Sequence, residues 1–440
     1  MDAEGREPHG VTGPADALRA GPSSTPTMTG ASDWWVHPGL RVVDGALVVA
    51  GRDAEALARE HGTPLYVYDL DRFADNARRF HDAFARIPDV PFLLRFAMKA
   101  NPDPTVLRVF RGLGAPGAVG SVGIDACSPG EVQRALECGY TPAEISYTGT
   151  NVSGRDLDVI VAQPGLHLNL DAISQIHRVG RRAPGRRIGL RVNPGQGAGY
   201  NAKLEYAGDT PTKFGIYEDR LDEAVVVARS YDMTIDTLHF HAGSGWLADG
   251  LGSFEGALER ATAMARRLID LGCPIAEVNV GGGVGAPGRS DEVAVDLDDY
   301  VAVLARHLGP LKVTIACEPG DHLARDAGIL LAEVVTVEDR AGTRFVGLDA
   351  GWNLSCGYFI YGFLDEVVPC HDPLAERTWT VNVAGHINEA HDLFADDYAF
   401  PPVEEGDIVA ILGTGAYAAA MSSTHCLRPH APALHLRRSR

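Results

Sequence analysis

The chain has 440 residues, of which 45% are hydrophobic and 22% are charged, and its formal net charge is −19. This length and composition are typical of a globular protein with two domains and a substantial core. The acidic balance argues against nucleic-acid backbones and anionic membrane surfaces as partners, because no basic excess is available to neutralise them. The sequence also lacks a run of about 18 apolar residues that would indicate a membrane span.

The first part of the chain predicts a tail followed by a small paired segment. We expect residues 1–35 to be a disordered tail, because they are rich in Gly, Pro, Ser, Thr and acids and lack the apolar core of a signal peptide. Residues 36–64 are predicted to pair with a C-terminal β domain. Within them, the stretch 39–50 has the pattern of a hairpin that turns at Asp44-Gly45.

Residues 65–328 alternate short apolar runs with longer amphipathic stretches, which predicts repeated β-α units. The predicted strands are 65–69, 91–98, 145–148, 166–170, 187–193, 235–241, 276–281 and 312–317. Helical stretches are predicted at 71–87, 129–138, 219–230 and 253–271. About eight such strands favour a closed (β/α)8 barrel over an open doubly wound sheet.

Residues 329–440 have a different texture, because short β-rich runs alternate with Gly, Pro and Asp turns. These runs lie at 331–337, 344–349, 378–384 and 408–412, and they predict an all-β domain. The seven cysteines are dispersed without a Cys-x-x-Cys pair. Such a count favours reduced thiols in a cytoplasmic enzyme over a disulfide framework or a zinc site.

Lys99 follows the predicted strand 91–98 and precedes Asn101-Pro102, where proline prevents simple continuation of the chain. A lysine at a strand end points its amine toward the mouth of the barrel. Partial desolvation there can lower its pKa and make it a Schiff-base nucleophile. The alternative is a lysine that only extends from the strand end into solvent.

Gly281, Gly282 and Gly283 follow another apolar run, and their backbone amides can approach and cradle a phosphate. A structural glycine turn is the alternative. The stretch also satisfies G-x-G-x-x-G up to Gly288. However, Pro287 and the polar residues after it do not open a helix, which disfavours a dinucleotide fingerprint.

His239 and His241 lie at the end of a predicted strand, and their i, i+2 spacing places both rings on one face, so a metal pair is conceivable. The Gly243-Ser244 pair that follows suits an anion-binding loop better. The stretch 386–391 has the spacing H-x-x-E-x-H, which matches no zinc motif. We therefore predict no metal site.

Glu318 ends the last predicted barrel strand, immediately before Pro319-Gly320. It is either a capping acid of the turn or an acceptor for a protonated ring nitrogen, which pyridoxal chemistry requires. Lys99, the histidines, the two anion loops and Glu318 all fall at carboxyl ends of parallel strands, where barrel enzymes place their active sites. Together they predict pyridoxal 5'-phosphate as the cofactor.

With these motifs, residues 39–435 resemble the fold-type III pyridoxal-phosphate decarboxylases of the ornithine, diaminopimelate and arginine decarboxylase family, above all the diaminopimelate type. The resemblance implies that Lys99 is the Schiff-base lysine, that Asp125 lies near it, and that His241 stacks on the pyridine. It also implies a homodimer with shared active sites and a small amino-acid substrate. The further cofactor contacts that it implies are Ser244, Gly281, Gly282, Gly283, Glu318 and Tyr417.

Two departures from the diaminopimelate type concern the distal end of the substrate. The two arginines that hold the distal carboxylate there fall on Asp321 and Gly357 of this chain. An acid at such a position removes an attraction and adds a repulsion. We therefore expect a substrate without that carboxylate, with a cationic or neutral distal group. The residues predicted to contact the substrate are Asp321, Tyr361, Glu389 and Tyr417.

A third departure lies in a loop that the resemblance implies is contributed across the dimer. The family's proton-donating cysteine falls on Asn388, before Glu389, and asparagine does not readily donate a proton. His386, His391, Tyr417 or water are the candidate replacements, or the proton returns to the cofactor in a decarboxylating transamination. The residues predicted to be catalytic are Lys99, His241, Asn388 and Glu389.

We therefore expect an amino-acid α-decarboxylase of specialised metabolism, acting on a free or carrier-tethered substrate. The alternatives are a diaminopimelate decarboxylase of lysine biosynthesis, a decarboxylating transaminase, a racemase and a non-catalytic cofactor-binding protein. Glu318 disfavours the racemase, because alanine-type racemases use an arginine at that position.

Overall fold

The computed structural model describes residues 33–87, 90–115, 120–208 and 210–439. The predicted tail, residues 1–35, lies outside these residues except for its last three. All seven cysteines are free thiols. In the described part of the chain, no helix combines the length and the apolar character needed to cross a membrane.

The predicted hairpin is present near the start of the described chain. Its elements are β1 (Leu40–Val43), β2 (Ala46–Val49) and β3 (Arg52–Asp53), followed by helix α1 (Ala54–His61). Asp44 and Gly45 both have positive φ, 50° and 80°, which is the conformation that joins two antiparallel strands tightly. Leu47 donates its backbone N–H to the Cys370 carbonyl, so the hairpin contacts the C-terminal part of the chain.

Strand β4 (Leu65–Asp69) does not belong to the barrel, so that strand assignment was wrong. All five of its residues are buried, as in a central strand of either sheet, and its sequence therefore carries no information about its partners. It pairs antiparallel with the long strand β13 (Gly328–Arg340) and parallel with β19 (Ala433–Leu436), both from the C-terminal part of the chain.

The predicted (β/α)8 barrel is confirmed, with eight parallel strands in sequential order and the last paired to the first. The strands are β5 (Phe92–Ala97), β6 (Val122–Ala126), β7 (Ile145–Thr148), β8 (His167–Leu170), β9 (Arg187–Arg191), β10 (Thr234–His239), β11 (Glu277–Asn279) and β12 (Thr314–Cys317). Strand β6 was not predicted, because Gly123 and Asp125 resemble turn residues. The glycine is needed for packing, since a Cβ there would lie 2.6 Å from the Glu144 carbonyl oxygen.

Helices connect the barrel strands and pack around them. They are α2 (Leu70–Ala85), α3 (Pro104–Arg111), α4 (Pro129–Glu137), α5 (Gly154–Val161), α6 (Ile173–Gly180), α7 (Leu221–Arg229), α8 (Leu251–Asp270), α9 (Leu297–Leu308) and the short α10 (Asp321–Ala324). Asp103 and Ser128 cap α3 and α4, each followed by proline at the first helical position. Each cap fixes the start of the helix that follows its barrel strand.

The C-terminal part of the chain is a mostly antiparallel sheet, as predicted. Its strands are β13 (Gly328–Arg340), β14 (Thr343–Leu348), β15 (Val367–Pro369), β16 (Trp379–Ala384), β17 (Leu393–Phe400), β18 (Ile408–Ile411) and β19 (Ala433–Leu436). A five-residue π-helical turn, Gly357–Tyr361, interrupts the run between β14 and β15. This turn faces the open end of the barrel.

Candidate active site

The carboxyl ends of the barrel strands bring together the residues that the sequence predicted at scattered positions. They line one depression at the mouth of the barrel, with Ala97, Lys99, Asp125, Thr148, Arg191, His239, His241, Ser244, Gly282, Glu318 and Tyr417 in its wall. Because consecutive strands are parallel, the residue after each strand arrives at the same face.

Lys99 lies in a single 3-10 turn after β5 and donates a hydrogen bond from Nζ to Asp125 Oδ2, 3.0 Å away. Burial alone would lower the pKa of Lys99, but the carboxylate of Asp125 outweighs it and raises that pKa well above its ordinary value. The direction of this shift is therefore opposite to the lowering that desolvation alone predicts. Burial and the charge of Glu318 raise the pKa of Asp125 to about 7, against the opposing charge of Lys99.

Glu318 is held by donors from the two preceding strands. His239 Nε2 donates to Oε2 at 3.0 Å, and Asn279 Nδ2 donates to Oε1 at 2.6 Å. Burial alone would raise the pKa of Glu318, but His239 and Arg95 outweigh it and hold that pKa well below its ordinary value. Glu318 is therefore an ionised carboxylate, as pairing with a protonated ring nitrogen requires.

His239, considered above for a metal pair, is therefore a hydrogen-bond donor to Glu318. Among the residues that the structure describes, no cluster of three or more His, Cys, Asp or Glu side chains has the arrangement of a metal site.

The glycine loop after β11 has no room for side chains. A Cβ on Gly282 would lie 2.2 Å from the Glu318 carbonyl oxygen, and one on Gly283 would lie 2.1 Å from the Gly243 carbonyl oxygen. Gly281 and Gly283 also have positive φ, 69° and 111°. The backbone is therefore bare on this side, which suits the close approach of a phosphate beside Ser244.

The ring of His241 lies between this loop and Lys99. Its Nε2 is 3.3 Å from Ser244 Oγ, whereas its Nδ1 is buried without a hydrogen-bond partner. Burial and the charge of Lys99 lower its pKa well below the ordinary value, so the ring is neutral. An uncharged flat ring with an unsatisfied nitrogen fits a stacked heteroaromatic cofactor. The Tyr206 ring, which the sequence did not single out, lies 5.1 Å from it.

Pyridoxal 5'-phosphate therefore fits the residues present. Ser244 and the glycine loop would hold the phosphate, His241 the ring face, Glu318 the ring nitrogen and Lys99 the aldehyde carbon.

A larger cavity of about 240 Å³ adjoins this depression and shares Lys99, Ser244 and Tyr417 with it. The predicted substrate residues Asp321 and Tyr361 line it. Burial raises the pKa of Tyr417, so its hydroxyl stays protonated. The cavity extends from Lys99 to the π-helical turn of the β domain.

Two charged residues of this cavity were not predicted, Arg325 and Asp365. Arg325 Nη2 donates to Asp365 Oδ1 at 2.7 Å, and Nη1 lies 3.9 Å from Asp321 Oδ2. Arg325 follows Asp321 by four residues, a spacing that places both on one helical face and was available in the sequence. Asp365 lies in an irregular loop 40 residues away from Arg325, and no pattern marks it.

Asn388 and Glu389 lie in an exposed turn between β16 and β17, not in the wall of either cavity. Glu389 Oε1 is 3.4 Å from Nε2 of His425, which also lies on the surface. The roles of Asn388 and Glu389 across a dimer stay predictions.

Comparisons with known proteins identify the family of the chain. Residues 70–325 match the family model of the pyridoxal-dependent decarboxylases, in their pyridoxal binding domain. Diaminopimelate decarboxylase from Methanothermobacter thermautotrophicus is 34% identical over 411 residues, covering 90% of this chain and 91% of that protein. The enzyme of the same name from Streptomyces coelicolor is 31% identical, covering 86% of this chain and 85% of that protein.

A solved structure of diaminopimelate decarboxylase from Helicobacter pylori, complexed with L-lysine, superimposes with a TM-score of 0.79 at 28% identity. It covers 87% of this chain and 94% of that one. The predicted family, cofactor and carboxy-lyase class are thereby confirmed. The chain belongs to the family of pyridoxal-dependent decarboxylases.

Proposed function

We propose that the protein removes the α-carboxyl group of an amino acid whose side chain lacks the distal carboxylate of diaminopimelate. One observation carries the proposal, namely that Asp321 lines the same cavity as Lys99. By resemblance, this position would hold an arginine that binds that carboxylate. Gly357, the second such position, also lines the cavity, and a Cβ there would lie 3.7 Å from Asp365 Oδ2. One of the two positions is therefore itself an acid, and the other lies beside one.

The residues at the cofactor end divide the chemistry among them. When bound, the cofactor supplies an electron sink for the electrons that carbon dioxide leaves behind. Glu318, kept ionised by His239, would hold the ring nitrogen in its protonated form. Lys99 would tether the cofactor until the substrate amine displaces it, and Asp125 is placed to hold the released lysine amine.

The α-carbon then needs a proton. Tyr417 carries a protonated hydroxyl in this cleft, and Asn388 occupies the position that the resemblance gives to a cysteine. A homodimer in which the loop of Asn388 and Glu389 completes the partner's cleft is part of the proposal, as is activity on a carrier-tethered substrate. Amine as the product would indicate protonation at the α-carbon, and aldehyde would indicate protonation on the cofactor.

A second candidate is diaminopimelate decarboxylase itself. The sequence identity to enzymes of that name favours it, and so does Arg325, a buried guanidinium in the same cavity. One turn of helix separates Arg325 from Asp321, so a cation is present near the place where the resemblance puts an arginine.

Carbon dioxide release from a panel of amino acids separates the candidates. The panel contains L-lysine, L-ornithine, L-arginine, L-glutamate and meso-diaminopimelate, with D-isomers alongside and amine and aldehyde products identified. We expect turnover of substrates without a distal carboxylate. Turnover of meso-diaminopimelate as the best substrate would overturn the proposal in favour of the second candidate. Cofactor binding with no release from any substrate would indicate the non-catalytic alternative.

A further inference from the structure

We propose that Asp321, Arg325 and Asp365 form a binding site for a cationic group at the end of the substrate side chain, which makes the substrate a basic amino acid. This inference rests on the proposed function and narrows it from any side chain without a distal carboxylate to a positively charged one.

The three side chains form a buried cluster with one charge left unbalanced. Arg325 is 6% exposed, Asp321 is 12% exposed and Asp365 is 15% exposed, and all three line the cavity beside Lys99. When both carboxylates are ionised, they and the one guanidinium carry a net charge of −1. An unbalanced buried charge is unfavourable unless a counter-ion completes it, and a ligand cation would do so.

The guanidinium of Arg325 is already committed to this cluster. It donates to Asp365 at 2.7 Å, and it lies over the Phe363 ring at 5.0 Å from the ring centre. Two glycines make room for it, since a Cβ on Gly288 would lie 2.7 Å from Nη2 and one on Gly413 would lie 3.1 Å from Nε. Arg325 is therefore fixed from several sides, and its Nη2 is paired with Asp365, whereas its buried Nε has no hydrogen-bond partner.

Asp321 retains more of its attraction for a ligand. The distance of 3.9 Å from Asp321 Oδ2 to Arg325 Nη1 is beyond hydrogen-bonding range, so Arg325 holds Asp321 by charge alone. Its Oδ2 accepts the backbone N–H of Ala286 at 3.0 Å, which fixes the carboxylate in place. A second cation in the cavity would bring the cluster to neutrality, whereas a distal carboxylate would bring three acids around one guanidinium.

The wall of this cavity suits a methylene chain. It includes the apolar and aromatic side chains of Leu204, Tyr206, Tyr361, Phe363 and Met421. A chain of methylene groups packs on such surfaces, and a polar cluster at the far end then selects the terminal group.

Three primary amines of equal length test the site on the holoenzyme. They are 1,5-diaminopentane, pentylamine and 5-aminopentanoate, which share the amine that reacts at the cofactor but end in a cation, a methyl group or an anion. Dissociation constants come from the change in cofactor absorbance, and the set is repeated with four-carbon chains. We expect the diamine to bind about 10- to 100-fold more tightly than the monoamine, as for a hydrogen bond to a charged group, and the anion to bind most weakly.

Variants then assign the preference to the cluster. We expect Asp365→Asn and Asp321→Asn each to remove most of the preference for the diamine, while Asp222→Asn, in an exposed pair with Arg267, retains it. Equal binding of the three amines, tightest binding of the anion, or an unchanged preference in both cluster variants would overturn the cation site. If the enzyme releases carbon dioxide from amino acids but does not prefer the diamine, the proposed function holds and the cation site is refuted. If the enzyme prefers the diamine but releases carbon dioxide from no amino acid, the proposed function is refuted and the cation site holds.

Discussion

The two ends of the active-site cleft are built differently. At the cofactor end, Lys99, Asp125 and Glu318 lie at the carboxyl ends of barrel strands, and hydrogen bonds from neighbouring strands fix them. At the side-chain end, Arg325 and Asp365 come from a short connecting helix region and a loop before β15. The barrel thus fixes the groups that do the chemistry, whereas loops set the charge that faces the substrate.

Removal of Lys99 should break the cofactor end completely. In Lys99→Ala, we expect carbon dioxide release to fall about 1,000-fold or more, because the covalent tether and its amine are both lost. The absorbance of the lysine-bound cofactor should disappear as well. Release that survives this substitution would contradict the role of Lys99.

Removal of the Arg325 guanidinium at the side-chain end should lower the stability of the folded protein. In Arg325→Met, two buried carboxylates lose their shared cation, and we expect the free energy of unfolding to fall by about 3 kcal/mol. Arg267→Met is the matched control, because its ion pair with Asp222 is exposed, and we expect a change of less than about 1 kcal/mol. Denaturant unfolding of both variants measures the difference; equal losses would show that the cluster is not a buried charge network.

Substitutions at the two ends of the cleft should change different steady-state constants. We expect Glu318→Gln to lower kcat about 100-fold with little change in KM, because the ring nitrogen loses its ionised partner. In Asp365→Asn the main change should be a higher KM for the basic substrate, by about 10-fold, because a charged contact is lost. The opposite assignment of kcat and KM effects would show that the two ends do not act separately.

The two ends should also differ in pH dependence. Burial raises the pKa of both Asp321 and Asp365, with Arg325 opposing it, whereas the pKa of Glu318 is held low despite its burial. As pH falls, the distal carboxylates therefore take up protons first, and the attraction for a cation is lost while Glu318 stays ionised. We expect the affinity ratio of 1,5-diaminopentane to pentylamine to decline toward acid pH, with the cofactor retained. Titration of Asp125 changes the affinity for both amines alike, so it cancels in this ratio. A ratio independent of pH would contradict the account.

The cofactor end could be predicted because each residue follows an apolar run, and parallel strands deliver such residues to one face. Lys99, His241 and Glu318 were all found in this way. The predicted set of barrel strands contained one wrong strand and missed one. Strand β4 was included because it is as apolar as a barrel strand, but it pairs with β13. Strand β6 was missed because it carries Gly123 and Asp125. The pattern of residue types does not encode which sheet a buried strand joins.

The side-chain end was only partly predictable. Asp321 was singled out from the family resemblance, but its partners Arg325 and Asp365 meet through tertiary packing. The four-residue spacing from Asp321 to Arg325 was a usable signal, whereas Asp365 reaches the cavity from an irregular loop. That position 321 carries an acid in place of the family's arginine was therefore read from the sequence, and the balance of charge around it required the structure.

The most direct test of the central claim compares L-lysine and D-lysine with meso-diaminopimelate, because each lysine isomer matches one end of that molecule and lacks the carboxylate at the other. The measurement is kcat/KM for carbon dioxide release from each substrate by the holoenzyme. Because a distal carboxylate would meet Asp321 and Asp365 in a buried cleft, we expect the better lysine isomer to be preferred by about 100-fold, the cost of an unpaired buried charge. A preference for meso-diaminopimelate would contradict the account.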